Sequence, residues 1–98
     1  MYPKFVLTAD GHVRLGMVTL HRHLLLPGDK CLGGGYYAVD YQSCSLVLSG
    51  SSADYGAPRW GEVVELILPD GYRGMPLLYD YGGSAPQHLN ATHRVSYE

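Results

Sequence analysis

Glycine and aspartate residues recur along this chain at intervals that suit β-hairpins, between short stretches in which apolar and polar residues alternate. The clearest case is Asp10-Gly11, because both residue types tolerate the positive φ angles of a two-residue hairpin turn. Direct pairing across that turn sets Thr8 opposite Val13, Val6 opposite Leu15 and Lys4 opposite Met17. The spacing of these turn residues therefore predicts neighbouring antiparallel strands.

Further strands are predicted on both sides of the turn Gln42-Ser43-Cys44, at 36–41 and 45–49. The preceding Gly33-Gly34-Gly35 is interpreted as a flexible connection. Residues 75–81 form another strand-like run, and Pro76 favours a position at a sheet edge.

The segment 62–68 fits either a strand or a short amphipathic helix. We favour a strand, because the segment is short, contains β-branched residues and is stopped by Pro69. Together these features predict an all-β fold, a small antiparallel barrel or sandwich of about six strands built from consecutive hairpins. The length of 98 residues suits one β domain over 1–98, with 82–98 as a polar C-terminal extension.

The charge balance argues against a nucleic-acid partner. Seven basic residues face nine acidic ones, the net charge is −2, and no basic stripe is present. The longest apolar runs, 24–26 and 66–68, are too short to cross a bilayer, and the N-terminal residues lack a signal-peptide pattern. We therefore expect a cytoplasmic protein with no nucleic-acid or membrane partner, in which Cys31 and Cys44 are free thiols.

Two histidines raise the question of a metal. His21 and His23 would point to the same face of a strand, a spacing that suits two ligands of one ion. A complete site would need more ligands, and the candidates are His12, Cys31, Cys44, His88 and His93. No spacing demands any of them, so we predict no metal and no other cofactor.

Catalytic motifs are equally weak. Cys44 lies in a predicted turn, but no base is identifiable beside it. The triple glycine 33–35 lacks the pattern of a phosphate loop. The sequence therefore assigns no catalytic residue and disfavours an enzyme.

Three Asp-Tyr pairs stand out, and Trp60 lies close to the second of them. Carboxylates beside aromatic rings suit saccharides, whose hydroxyls accept and donate hydrogen bonds while their C–H faces stack on rings. The alternative is that these rings are ordinary strand residues of the core. The candidate ligand-binding residues are Asp54, Tyr55, Trp60, Asp80 and Tyr81.

The leading functional hypothesis is a small non-catalytic protein-interaction module that associates with itself. It depends on low charge, nine tyrosines and only two lysines to guard exposed strand edges. A β domain that binds a small saccharide-type ligand is the alternative. A metal-dependent or thiol enzyme comes third.

Overall fold

Short strands dominate the computed structural model, which describes residues 1–98. The strands are β1 (Tyr2–Thr8), β2 (Val13–Val18), β3 (Cys31–Asp40), β4 (Ser45–Ser49), β5 (Glu65–Leu68), β6 (Leu77–Asp80), β7 (Gln87–His88) and β8 (Arg94–Tyr97). Three 3₁₀ helices, His21–Leu24, Trp60–Glu62 and Asp70–Tyr72, and one α-helical turn, α1 (Leu89–Thr92), connect them. The predicted all-β character is confirmed.

Six strands form one sheet in the order β2-β1-β3-β4-β6-β7, while β5 and β8 form a second, two-stranded sheet. The large sheet has two free ends, β2 and β7, and is not a closed barrel. Consecutive hairpins account for β1–β2 and β3–β4, but β4–β6 and β5–β8 are parallel pairs. The prediction of a purely antiparallel, hairpin-built fold is therefore wrong in part. Parallel pairs require long crossovers, which turn residues alone do not signal.

The first hairpin is confirmed, but its predicted register is wrong by one residue. Leu7, not Thr8, lies opposite Val13, and Phe5 lies opposite Leu15. The loop has three residues instead of two: Gly11 N donates to the Thr8 carbonyl, Thr8 N donates to the His12 carbonyl, and Gly11 has a φ of +92°. This geometry is a turn followed by a glycine bulge. The extra residue places Val13 and Leu15 on the same face of the hairpin as the buried Phe5 and Leu7.

The triple glycine is not a flexible connection but part of the long strand β3, and all three residues are buried. Close backbone contact explains the composition. A Cβ on Gly35 would lie 2.2 Å from the Ser49 carbonyl oxygen, and one on Gly34 would lie 2.5 Å from the Phe5 carbonyl oxygen. Glycine therefore lets β3 run between β1 and β4 without steric conflict.

The ambiguous segment 62–68 begins in a 3₁₀ helix and ends in β5, so the strand prediction holds for Glu65–Leu68. Pro76 does not lie on an edge strand, because β6 has β4 and β7 on its two sides. Pro76 precedes β6, and its carbonyl accepts a hydrogen bond from Leu46 N at 2.9 Å. The C-terminal stretch 82–98 supplies β7, α1 and β8, the last of which pairs with β5.

The core lies between the inner face of the large sheet and the segments that carry Trp60, β5 and Leu89. The Trp60 indole stacks on Phe5, with ring centroids 5.9 Å apart, and meets Tyr79 edge-on at 5.4 Å. Fully buried side chains of leucine size each contribute about 1.5–3 kcal/mol. The core residues are Phe5, Leu7, Val13, Leu32, Leu46, Leu48, Trp60, Leu66, Leu68, Leu77, Tyr79 and Leu89.

Candidate functional site

The side of the large sheet that points away from this core is only partly covered. Strand register defines two rows of residues on it, because directly opposed residues point to the same side. The first row is Lys4, Tyr36, Ser49 and Asp80, and the second is Ala38, Val47, Leu78 and His88. We call these eight residues the outer face.

The 3₁₀ helix His21–Leu24 covers one end of this side. Beneath it Val6 is fully buried, and His21 Nε2 lies 2.7 Å from the Gly35 carbonyl oxygen. The His21 ring also meets Tyr36 edge-on at 5.6 Å. Beyond this helix the sheet is open, since Ala38 is exposed and Val47 and Leu78 are only half-buried.

Aromatic groups border the open area. Tyr36 is 41% exposed, and Tyr2 on the neighbouring strand is 65% exposed. Lys4 Nζ lies 6.0 Å from the centroid of each of the two rings and donates to the Thr19 carbonyl at 2.6 Å. Partly exposed tyrosine beside a cation is a composition typical of recognition surfaces.

The fold separates Trp60 from the other four predicted saccharide-binding residues. Because β4 and β6 are parallel, the segments that follow them leave from the same end of the sheet, and Gly50 N donates to the Asp80 carbonyl at 3.1 Å. Tyr81 is exposed, Tyr55 is half-buried, and the Asp80 carboxylate accepts a hydrogen bond from Gly82 N. Ser52 Oγ accepts hydrogen bonds from the amides of Asp54 and Tyr55.

Trp60 does not belong with them. Its side chain is a core residue with 5% exposure, so its ring faces are not available to stack on a ligand. The sequence does not distinguish the two environments, because a tryptophan that follows a small polar loop can point either into the core or toward solvent. Ligand binding by Asp54, Tyr55, Asp80 and Tyr81 stays a prediction without this ring.

The histidine pair does not lie on a strand. His21 and His23 lie on a 3₁₀ helix, where residues two apart do not share a face, and His21 is buried while His23 is exposed. No three His, Cys, Asp or Glu side chains come together in a geometry that could hold an ion.

Both thiols are free. Burial raises the pKa of Cys31, whose Sγ donates to the Gly33 carbonyl. Cys44 is exposed in the β3–β4 turn with a φ of +52°. Neither thiol has a histidine partner among its hydrogen bonds.

One cavity of about 400 Å³ opens between β2 and β5, and we call it the edge cleft. His12 lies at one end of it, with Nδ1 3.0 Å from the Asp10 carboxylate and Nε2 3.5 Å from Glu98. Arg14 also lines the cleft and pairs with Asp29 at 3.0 Å. Sequence reasoning missed this site, because only the tertiary structure brings Glu98 beside the first hairpin.

Electrostatics keep both aspartates near the edge cleft ionised. Hydrogen bonds, first from the Thr8 hydroxyl and then from His12, lower the pKa of Asp10 to about 2. The Leu26 amide and the Arg14 guanidinium lower the pKa of Asp29. The Arg14 charge is therefore matched locally, and Asp10 and Glu98 add negative charge at the other end.

Comparison with known proteins finds no matching family model, no matching curated protein and no matching solved structure. None of the helices has the length and apolar character needed to span a membrane.

Proposed function

We propose that this protein is a small non-catalytic interaction module that associates with a second copy of itself through the outer face. The observation that carries the proposal is the open apolar row Ala38–Val47–Leu78, which crosses three adjacent strands in the middle of the sheet with no layer above it. A sheet that packs on a core with one side gains further burial when a second sheet covers its open side.

The charges on the outer face favour a copy of the same chain as the occupant. In the first row Lys4 on β1 and Asp80 on β6 lie three strands apart, with Tyr36 and Ser49 between them. A two-fold axis parallel to the strands, above the sheet, would place Lys4 of each copy over Asp80 of the other. The same face would then be self-complementary, as a symmetric dimer requires.

Composition supports a protein partner over nucleic acid. Lys4 is the only lysine or arginine among the residues of the outer face, and the whole chain is weakly acidic. Tyrosine at its border supplies contact area at low entropic cost.

Sedimentation velocity on the purified chain tests the proposal, over a concentration series into the high micromolar range. We expect a dimer, and we expect Val47→Asp to shift it to monomer because the substitution buries a carboxylate in the proposed interface. Val64→Asp is the matched control, since Val64 is 78% exposed and lies outside the outer face.

Thermal unfolding monitors whether each variant remains folded. A wild-type chain that stays monomeric throughout the series contradicts the proposal. So does equal dissociation by Val47→Asp and Val64→Asp while both variants remain folded.

A further inference from the structure

The edge cleft forms where two strand edges separate. Ile67 N donates to the Gly11 carbonyl at 2.9 Å, and His12 and Ile67 make one isolated parallel bridge. Beyond that bridge β2 continues to Val18, whereas β5 ends at Leu68 and Pro69 turns the chain away. The edge of β2 is thus left without a neighbour along most of its length.

The backbone of β2 faces this gap. In an antiparallel pair, alternate residues turn their N–H and C=O groups away from the partner strand. The Thr8–His12 hydrogen bond fixes the alternation, so that Arg14 and Gly16 face β1 while Val13, Leu15 and Met17 face outward. Val13 is buried beside Ile67 at the bridge, whereas Leu15 and Met17 have no neighbouring strand on their outward side.

Apolar and polar side chains share the walls of the cleft beside this free edge. Leu15 and Leu24 line one side, and Leu68 and Pro69 line the other. A volume of about 400 Å³ lies within the range of sites that take small ligands or a few side chains. An open strand edge beside apolar pockets is the arrangement that accepts an added strand.

The charged side chains around the edge cleft favour a basic peptide as the added strand. Arg14 is paired with Asp29, so it does not repel a cation strongly. Glu98 is 70% exposed and the Asp10 side chain is 63% exposed, and both carboxylates lie around His12 at the bridge end. A basic side chain entering the cleft would meet the Glu98 carboxylate, because Glu98 lines the cleft and Asp10 does not.

We propose that the edge cleft binds an extended peptide segment that carries basic and apolar residues in alternation and adds to β2 as a further strand. The peptide backbone pairs with the outward groups of Leu15 and Met17. Its apolar side chains lie on Leu24 and Leu68, and one of its basic side chains reaches Glu98. This site does not depend on the outer face and is open in a monomer.

Titration of the ¹⁵N-labelled full chain with a terminally blocked hexapeptide of alternating valine and lysine tests the proposal by NMR. We expect shifts centred on the amides of Leu15 and Met17, and slower hydrogen exchange there. Two further peptides separate the contribution of backbone pairing from that of charge. One is N-methylated at alternate positions, and the other has glutamate in place of lysine. Both should bind at least tenfold more weakly, the first because it cannot pair with β2 and the second because of its charge.

Variants of the protein test whether the Glu98 carboxylate contacts the basic side chain of the peptide. Glu98→Gln should weaken binding of the lysine peptide by about two- to fivefold, the size of one exposed ion pair. Glu62→Gln is the matched control, because Glu62 is an exposed glutamate outside the cleft that pairs with Arg59.

The titration is repeated on the Val47→Asp variant, which is expected to be monomeric. Peptide binding to the edge cleft is thereby tested independently of the proposed dimer. Equal affinity of the N-methylated peptide overturns the proposal, as do shifts confined to the outer face or no binding at millimolar peptide.

Discussion

Lys4 and Asp80 stand at the two ends of one cross-strand row, three strands apart and on the same side of the sheet. The two residues are 76 positions apart in sequence. Their relationship arises from the order β1-β3-β4-β6, which inserts two strands between them. The row gives the outer face a positive end and a negative end, and this polarity can be tested directly.

Reversal of the two charges should first weaken and then restore the proposed dimer. Lys4→Asp alone should raise the dimer dissociation constant by about tenfold, because two symmetric ion pairs become repulsive. The double variant Lys4→Asp with Asp80→Lys should recover most of that loss, as measured by sedimentation equilibrium at low salt. A double variant as weak as the single one would argue against the two-fold arrangement.

Gly35 should be intolerant of a side chain. A Cβ there would lie 2.2 Å from the Ser49 carbonyl oxygen and 3.0 Å from the Phe5 ring. We expect Gly35→Ala to destabilise the fold by about 3 kcal/mol or more, measured by urea unfolding.

The control is Gly61→Ala, since a Cβ on Gly61 meets nothing within 4 Å. It should change stability by less than about 0.5 kcal/mol. Similar effects of the two substitutions would show that β3 has room that the structure does not indicate.

Tyr79 should be the last tyrosine to ionise. Its hydroxyl donates to the Gly50 carbonyl, and burial raises its pKa to about 12. A raised folded-state pKa stabilises the protein below the unfolded value of 10, and that contribution disappears as the pH rises toward 12. Ultraviolet titration should show one late component that Tyr79→Phe removes.

Tyr79→Phe keeps the contact with Trp60 but leaves the Gly50 carbonyl without its donor, at a cost of about 1 kcal/mol. Tyr72→Phe is the comparison and should leave the component near pH 12 in place. A late component that persists in Tyr79→Phe would contradict the assignment.

Loss of the ionised Asp10 carboxylate should lower the stability of the protein in acid. Hydrogen bonds lower its pKa from 3.8 to about 2, so its contribution is present above pH 3.8 and is lost as the pH falls toward 2. The side chain is mostly exposed, and solvent screening keeps the effect small. Asp10→Asn should flatten the acid limb of the thermal stability curve, whereas the exposed Asp54→Asn should not. Parallel acid limbs for wild type and Asp10→Asn would refute this.

Local chemistry was sufficient to predict some elements of the fold. The hairpin at Asp10-Gly11 and the turn at 42–44 were predicted because turn residues act over a few positions. The register of the first hairpin was not predictable in the same way, since a two-residue and a three-residue loop use the same residues. Only the hydrogen bonds of Gly11 and Thr8 distinguish the two loops.

The candidate sites were harder to predict than the strands. The tyrosine-rich composition predicted an interaction surface, but it did not locate that surface at Tyr36 on the outer face. Trp60 was assigned to a ligand site and lies in the core, because its environment comes from Phe5 and Tyr79, far away in sequence. The edge cleft was missed for the same reason.

The amino-acid sequence by itself determined the strand character of this protein and the positions of its tightest turns, because alternation and glycine act through neighbouring residues. The tertiary structure alone decided that β4 pairs in parallel with β6, that β8 returns to β5, and that Glu98 meets His12. Those contacts join distant parts of the chain through crossovers. Their choice depends on how the whole core packs, which no short stretch of sequence encodes.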